Sequence, residues 1–356
     1  MIDIFKTHYL LQAVETLPPV TTFLRDRYFP TNDATDIFAT DDVLVEYYDG
    51  NRKIAPFVAP RQKGITIMRK ASYMERYTPP LVAPRRTLTL DDLARRGFGE
   101  ALLSQLTPQQ RQATMIMRDM DEMSVMIARR EEAMAAEVLT TNGCVMKHYA
   151  DDLDVVAEEK TIMFYEGSSN PASYTPDTKW GETGADIFGD IYAMGQMLAK
   201  RGLPYSDLIV SPDVATVMLN NDTVQQFLDN RRFELGNVEP EELPNGVSRM
   251  MVLNVYGRDI SVYCYAETYE NEAEEDTPFI PAGTAILTAP AAGRTLYGAI
   301  TQIEQVDGQF HTYRGRRVPK YISDAVKDVR TVTLSSAPLL IPNHVNPWIS
   351  AKVLGE

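Results

Sequence analysis

The sequence predicts an α+β protein organised around one unusually long helix. Three observations carry that class. Residues 107–140 place apolar side chains at three- and four-residue spacing, the signature of a helical stripe. Short apolar or alternating runs at 207–210, 250–256, 259–266, 285–287 and 330–341 are bounded by turn residues and read as strands. Shorter capped helices fall among those strands instead of alternating strictly with them.

Residues 1–45 read as an arm. Leu10, Leu11, Val14 and Leu17 make one short apolar helical face, Pro18-Pro19 ends it, and Phe23, Leu24, Tyr28 and Phe29 form an aromatic cluster closed by Pro30. So thin a segment has no core of its own and must lie on something else. Residues 46–85 read as an extended β-hairpin loop. Gly50-Asn51 marks a turn between Val43–Tyr48 and Lys53–Val58, and prolines at 56, 60, 79, 80 and 84 exclude a buried central strand.

The helix at about 107–140 opens with Thr107-Pro108-Gln109-Gln110, which combines an N-cap, proline at the first helical position and a capping-box glutamine. Ala113, Ile116, Met120, Met123, Ile127, Met134 and Val138 form its stripe, which is interrupted near Arg130-Glu131, and Asn142-Gly143 supplies the stop. At 1.5 Å per residue it spans roughly 50 Å, so it must act as a strut. Residues 151–166 read as a strand pair. Residues 185–201 make an amphipathic helix stopped at Gly202. Ser211-Pro212 and Asp222-Thr223 each cap another helix, and Gly257-Arg258 joins two strands of a hairpin. The C-terminal run through Arg330–Leu334 and Ala337–Ile341 to Trp348 is apolar enough to pack on something already made, and the long helix with the 151–166 strands is the expected partner.

Composition narrows the function. With 44% hydrophobic and 24% charged residues the 356-residue chain is globular, not a disordered acidic tail. A net charge of −14 opposes non-specific binding to nucleic acid or anionic lipid by the protein as a whole. Cys144 and Cys264, the only two cysteines, exclude a disulfide scaffold and a cysteine-rich zinc site. No apolar run reaches the ~18 residues of a membrane span, and no signal peptide is expected.

Motifs of catalysis and cofactor binding are missing. The chain has no GxxxxGK[ST], no GxGxxG after a strand and no GxSxG. His8, His148, His311 and His344 are scattered. Asp151, Asp152 and Asp154 resemble the start of a calcium loop, but Val156 stands where that loop needs glycine. No catalytic residue, cofactor or metal is therefore expected. One charge pattern stands out. Residues 50–86 carry nine Lys/Arg against one Glu, and residues 234–280 carry eleven Asp/Glu against two Arg. Such complementary patches suit head-to-tail pairing between copies. The residues expected at that contact are Arg61, Lys63, Arg69, Lys70 and Arg76 on the basic side. On the acidic side they are Glu239, Glu241, Glu242, Glu270, Glu272 and Glu274.

Several segments carry a family resemblance by their order and spacing. They are PVTTFLRDRYFP at 19–30, APFVAPRQKG at 55–64, YTPPLVAPRRTLTL at 77–90 and RDMDEMSVMIARREEAMAAEVL at 118–139. FIPAGTAILTAPAAGRTLYGAI at 279–300, RVPKY at 317–321 and RTVTLSSAPLLIPN at 330–343 complete the set. Read together they resemble the lambda-type major capsid proteins of tailed bacteriophages, the major capsid protein E family with the HK-ninety-seven fold.

The resemblance implies an N-terminal arm (1–45), an extended loop (46–85), a peripheral domain with the spine helix (86–180 and 325–356) and an axial domain (181–324). It implies self-assembly into pentamers and hexamers of an icosahedral shell around double-stranded DNA bound without sequence specificity, with expansion from procapsid to mature head. It also implies a separate scaffolding protein and a portal protein, with a decoration protein left open, and assembly in the bacterial cytoplasm without a membrane. Lysine–asparagine crosslinking between subunits, for which Lys53, Lys63, Lys70, Asn343 and Asn346 are available, is not expected. An encapsulin-like cargo shell is the alternative on the same fold. An unrecognised cytoplasmic enzyme has no motif in its favour.

Overall fold

The computed structural model describes residues 10–11, 13–14, 20–48, 72–89, 107–149, 156–164, 173–230, 243, 246–271, 274–305, 307–324 and 328–355. The arm lies along the chain's own body. Its helix α1 (Leu24–Tyr28), which follows helical residues at 10–11 and 13–14, has only five residues. A helix this short does not hold itself in water, so its order comes from packing. Phe23, Leu24, Tyr28 and Phe29 are all buried. Strands β1 (Val43–Tyr48) and β2 (Ser72–Tyr77) then pair antiparallel, with Val43 opposite Tyr77 and Tyr48 opposite Ser72. The pairing of Val43–Tyr48 with Lys53–Val58 across Gly50-Asn51 expected from sequence lies outside the described residues; beside β2, Tyr77 meets Phe164 edge-on with ring centroids 5.5 Å apart. β3 (Arg85–Thr89) follows.

The long helix α2 (Pro108–Thr141) has 34 residues, or about 51 Å of length. Its capping box forms as expected: the Gln110 amide N–H donates to Thr107 Oγ1, and the Thr107 amide N–H donates to Gln110 Oε1. Asn142 ends it in the left-handed region at φ 54°. A hairpin starts at once, pairing β4 (Gly143–Tyr149) with β5 (Val156–Met163). The strand pair expected within 151–166 therefore begins earlier, at Gly143. That residue must be glycine, since a Cβ would sit 2.7 Å from the Ile162 carbonyl oxygen.

The chain continues through β6 (Ser173–Tyr174), α3 (Ile187–Arg201), β7 (Asp207–Val210), α4 (Pro212–Asn220) and α5 (Asp222–Asn230). The cap of α5 is Asn221, one residue before the expected Asp222; its Oδ1 accepts from the Thr223 and Val224 amides. β8 (Val247–Val255) and β9 (Arg258–Tyr265) form the expected hairpin. Its turn is Tyr256-Gly257, one residue before the expected Gly257-Arg258, and both residues are at positive φ, which matches the twist of the flanking strands. A small hairpin, β10 (Thr268–Glu270) with β11 (Asp276–Pro278), precedes β12 (Thr284–Thr288), β13 (Gly293–Tyr297), β14 (Ile300–Ile303) and β15 (Phe310–Tyr313). β16 (Val318–Asp324), β17 (Val329–Ser335), β18 (Pro338–Pro342) and β19 (Ile349–Lys352) close the chain.

The largest sheet has the order β6-β19-β12-β7-β9-β8. Its alternating side chains serve two cores, as a strand buried on both faces requires. Leu208, Val210, Ile260, Val262, Ala285 and Leu287 join the core under α3 and α4. Their neighbours Ile209, Tyr263, Tyr265 and Ile286 point the other way, into a core shared with the arm and the C-terminal half of α2. The N-terminal half of α2 packs elsewhere. Ile116, Met120, Met123 and Ile127 meet Leu88, Val332 and Leu334 of the three-stranded sheet β16-β17-β3, with Leu10 of the arm beside them. The methionine stripe is thus core packing.

The C-terminal run does pack on finished structure, but not mainly on the 151–166 region. β18 pairs with β13, and β19 lies between β12 and β6 inside the large sheet. Residues 173–174 and 349–352, placed by the sequence reading with the peripheral unit, are therefore strands of the sheet that the 181–324 segment builds.

Candidate assembly surfaces and the arm seat

Four of the basic contact residues expected from sequence, Arg61, Lys63, Arg69 and Lys70, lie outside the described residues, as do Glu239, Glu241, Glu242 and Glu272. Arg76 is exposed on β2, where it pairs with Asp42 of its own chain. That aspartate also accepts from the Thr78 hydroxyl at 2.7 Å, and these two bonds hold its carboxyl below the usual range. Glu270 and Glu274 are exposed on the β10–β11 hairpin, with Glu274 at φ 60°. The fold thus presents the described part of each patch on a hairpin. Among the described residues it does not bring the two patches together within one chain.

What the structure does bring together is a buried charge centre under the arm. The stripe of α2 breaks at Glu131 and Glu132, and both are buried. Glu131 receives Arg25 of α1 at 2.7 Å. It also receives both terminal nitrogens of Arg317 at 2.7 and 2.9 Å, and the Tyr297 hydroxyl at 3.1 Å. Burial pushes this carboxyl up, but the Arg317 and Arg25 guanidiniums outweigh it and hold the group below its ordinary value.

Glu132 acts differently. It caps the start of α1 from outside, accepting the backbone N–H groups of Phe23, Leu24 and Arg25 at 3.1, 2.7 and 2.9 Å and the Tyr265 hydroxyl at 2.8 Å. Here burial dominates over those bonds, and the carboxyl is shifted up. Asp207 at the start of β7 adds a third carboxylate, receiving Arg27 Nε at 2.6 Å and the Tyr28 hydroxyl at 3.2 Å.

The next stretch of the arm reverses the sign. Asp33 pairs with Arg316 at 2.6 Å, and Asp36 lies 3.8 Å from Arg294. The sequence signal for this seat was the broken stripe at Arg130-Glu131. The partners Arg25, Arg27, Asp207 and Arg317 carried no local signal, because up to 186 positions separate them from the group they meet.

Reactive chemistry is sparse among the described residues. No group of three or more His, Cys, Asp or Glu is placed to hold a metal ion, and no helix is long and apolar enough to cross a membrane. Burial, with Glu137 beside it, pushes the Cys144 thiol up to about 12, which keeps it protonated at neutral pH. His311 is exposed and pairs with Asp307 at 2.7 Å.

Comparison with known proteins gives this architecture a class. The family model described as phage major capsid protein E matches residues 6–353. The chain therefore belongs to that family, and it is a structural protein of the virion capsid that associates with its own copies into a shell. Among solved structures it is similar to a presumed capsid protein of a prophage in Escherichia coli CFT073. That match has 16% identity and a TM-score of 0.67 and covers 98% of this chain and 99% of the other. It is also similar to a phage-related protein of Bordetella bronchiseptica RB50, at 10% identity and a TM-score of 0.51, covering 98% and 97%. Both likenesses concern the fold. No curated protein matches the chain.

Proposed function

We propose that this chain builds the pentamers and hexamers of an icosahedral head enclosing double-stranded DNA, and that the shell expands from a rounded precursor to its mature form. The observation that carries the reading is the family match across residues 6–353. In this reading residues 46–85 are the loop that overlaps a neighbouring subunit, and α2 is the spine of a peripheral domain formed by 86–180 and 325–356. Residues 181–324 form the axial domain around the local symmetry axes, and β6 and β19 tie the two together through the large sheet. A scaffolding protein and a portal protein act as partners, and assembly takes place in the bacterial cytoplasm.

The acidic chain supports DNA containment without tight grip, since a wall with a net charge of −14 does not collect phosphates. The basic loop and the acidic 234–280 segment support head-to-tail contact between copies. The role is structural, with no catalysis of its own.

Sedimentation of the purified chain, alone and with the neighbouring genes co-expressed, tests the reading. Shells or stable five- and six-fold rings are expected. Reversing Arg69 and Lys70 to glutamate is expected to weaken assembly and raise its salt sensitivity. A monomer of 40.0 kDa under every condition would contradict assembly, and an enzyme packed inside the shells would favour a cargo compartment. Tight, salt-dependent DNA binding by assembled shells would contradict the loose-container argument.

A further inference from the structure

The arm segment 20–37 is held in a way that differs from the rest of the fold. Among the described residues it joins no multi-stranded sheet, and it forms one β-bridge, Ile37 to Tyr297. Its helix is a single turn and a half, which is too short to persist alone. Its backbone N–H groups at Phe23, Leu24 and Arg25 are satisfied by the side chain of Glu132, not by another strand. Its charges change sign once along the contact and meet the opposite sign on the body: Arg25 on Glu131 and Arg27 on Asp207, then Asp33 on Arg316. Apolar anchors complete the hold, with the Phe29 ring edge-on to Trp348 at 5.6 Å.

We propose that residues 20–37 form a strap that seats and unseats on the spine helix as one unit, with Glu131 as the shared tie that links the strap to the 314–317 loop. The geometry supports unit behaviour on three counts. A segment that cannot keep its own helix loses all its contacts together once its seat opens. Most ties to the body are side-chain bonds, and the backbone bonds from Ala291 N–H to the Arg27 carbonyl and from Tyr297 N–H to the Asp36 carbonyl involve neither the large sheet nor the three-stranded sheet, so the strap lifts without rebuilding either. Glu131 is fully buried and bonds Arg25 from the strap and Arg317 from the loop with its two oxygens. Removing its charge therefore leaves Arg317 without its carboxylate and leaves Arg25 only the exposed Asp26 of its own helix, at 2.7 Å. Arg316, the neighbour of Arg317, holds Asp33 of the strap, so the loop grips the strap a second time. In a shell protein such a strap is a place where one chain changes its path while its two sheets stay intact. It is a local, lower-stability unit of the kind that moves in conformational change.

Hydrogen exchange followed by mass spectrometry on the full chain tests this. In the wild type, peptides covering 20–30 and 310–318 are expected to exchange faster than β7 and β12. In E131Q both peptides are expected to speed up about tenfold or more, which is the loss of a charge-assisted bond, while β7 and β12 keep their protection. R25Q leaves the Glu131–Arg317 pair in place and is expected to speed the 20–30 peptide. Should E131Q not fold, the wild-type order and R25Q still decide. Strap exchange no faster than β7 and β12, acceleration of all segments alike in E131Q, or acceleration of only one of the two peptides would overturn the proposal.

Discussion

Replacing Glu132 by alanine and by glutamine separates a buried cap from a buried charge. Alanine removes every acceptor beneath α1. Of the four donors, Tyr265 keeps Glu267 as a partner at 3.1 Å, and the Arg25 amide lies in a part-buried position where water can reach it. The amides of Phe23 and Leu24 are buried and lose their only side-chain acceptor. An orphaned buried donor costs about 1–3 kcal/mol, so E132A should lose roughly 2–6 kcal/mol. Glutamine keeps one oxygen, and Oε1 is the atom that takes both buried amides and the Tyr265 hydroxyl. Only the Arg25 contact is lost, so E132Q should lose about 1–2 kcal/mol. Urea unfolding of the dissociated chain, followed through tryptophan fluorescence, measures both, because Trp348 packs on Phe29 of the same arm. Alanine and glutamine variants within about 0.5 kcal/mol of each other would refute the capping argument.

Three further outcomes are expected. G293A should destabilise by about 1–3 kcal/mol in the same unfolding assay. A Cβ there would run into the Phe29 ring and lie 2.6 Å from the Ile341 carbonyl oxygen, which β18 cannot move without leaving β13. The pH dependence of stability should carry the sign of Glu131. Its folded pKa is depressed, so its contribution is present above the ordinary carboxylate value of about 4.3 and is lost as pH falls through the lower folded value. The stability gap between wild type and E131Q should therefore narrow as pH falls from about 7 to about 3, and a constant gap would contradict this. Finally, R76E should leave the unfolding midpoint of the dissociated chain unchanged, since its pairing with Asp42 is exposed to solvent. A fall in assembly yield in that variant then reports contact between copies.

Local chemistry made much of the fold legible. Thr107 and Gln110 announced the start of the spine, Asn142 its end, and Gly257 between two apolar runs the β8–β9 hairpin, because each signal acts within a few residues. Non-local pairing was not legible. Nothing near Val43 says that its partner is Tyr77, and nothing near Ile349 says that it enters a sheet between β12 and β6. The arm shows the same division. Its aromatic residues advertised burial, but the carboxylates that seat it come from α2 and β7, more than a hundred positions away. A buried glutamate pair reads from sequence as a flaw in an apolar stripe, and only the fold shows what fills the flaw. The broad class was recoverable because the order of arm, loop, strut and returning strand is itself a long-range pattern.

The most direct test of the central claim is a cryo-electron microscopy reconstruction of the particles formed when the chain is expressed with its neighbouring genes. The account predicts closed shells with pentamers at the vertices and hexamers between them, and with residues 46–85 of each copy lying on a neighbour. Particles lacking five-fold vertices, or a chain that stays monomeric, would contradict it.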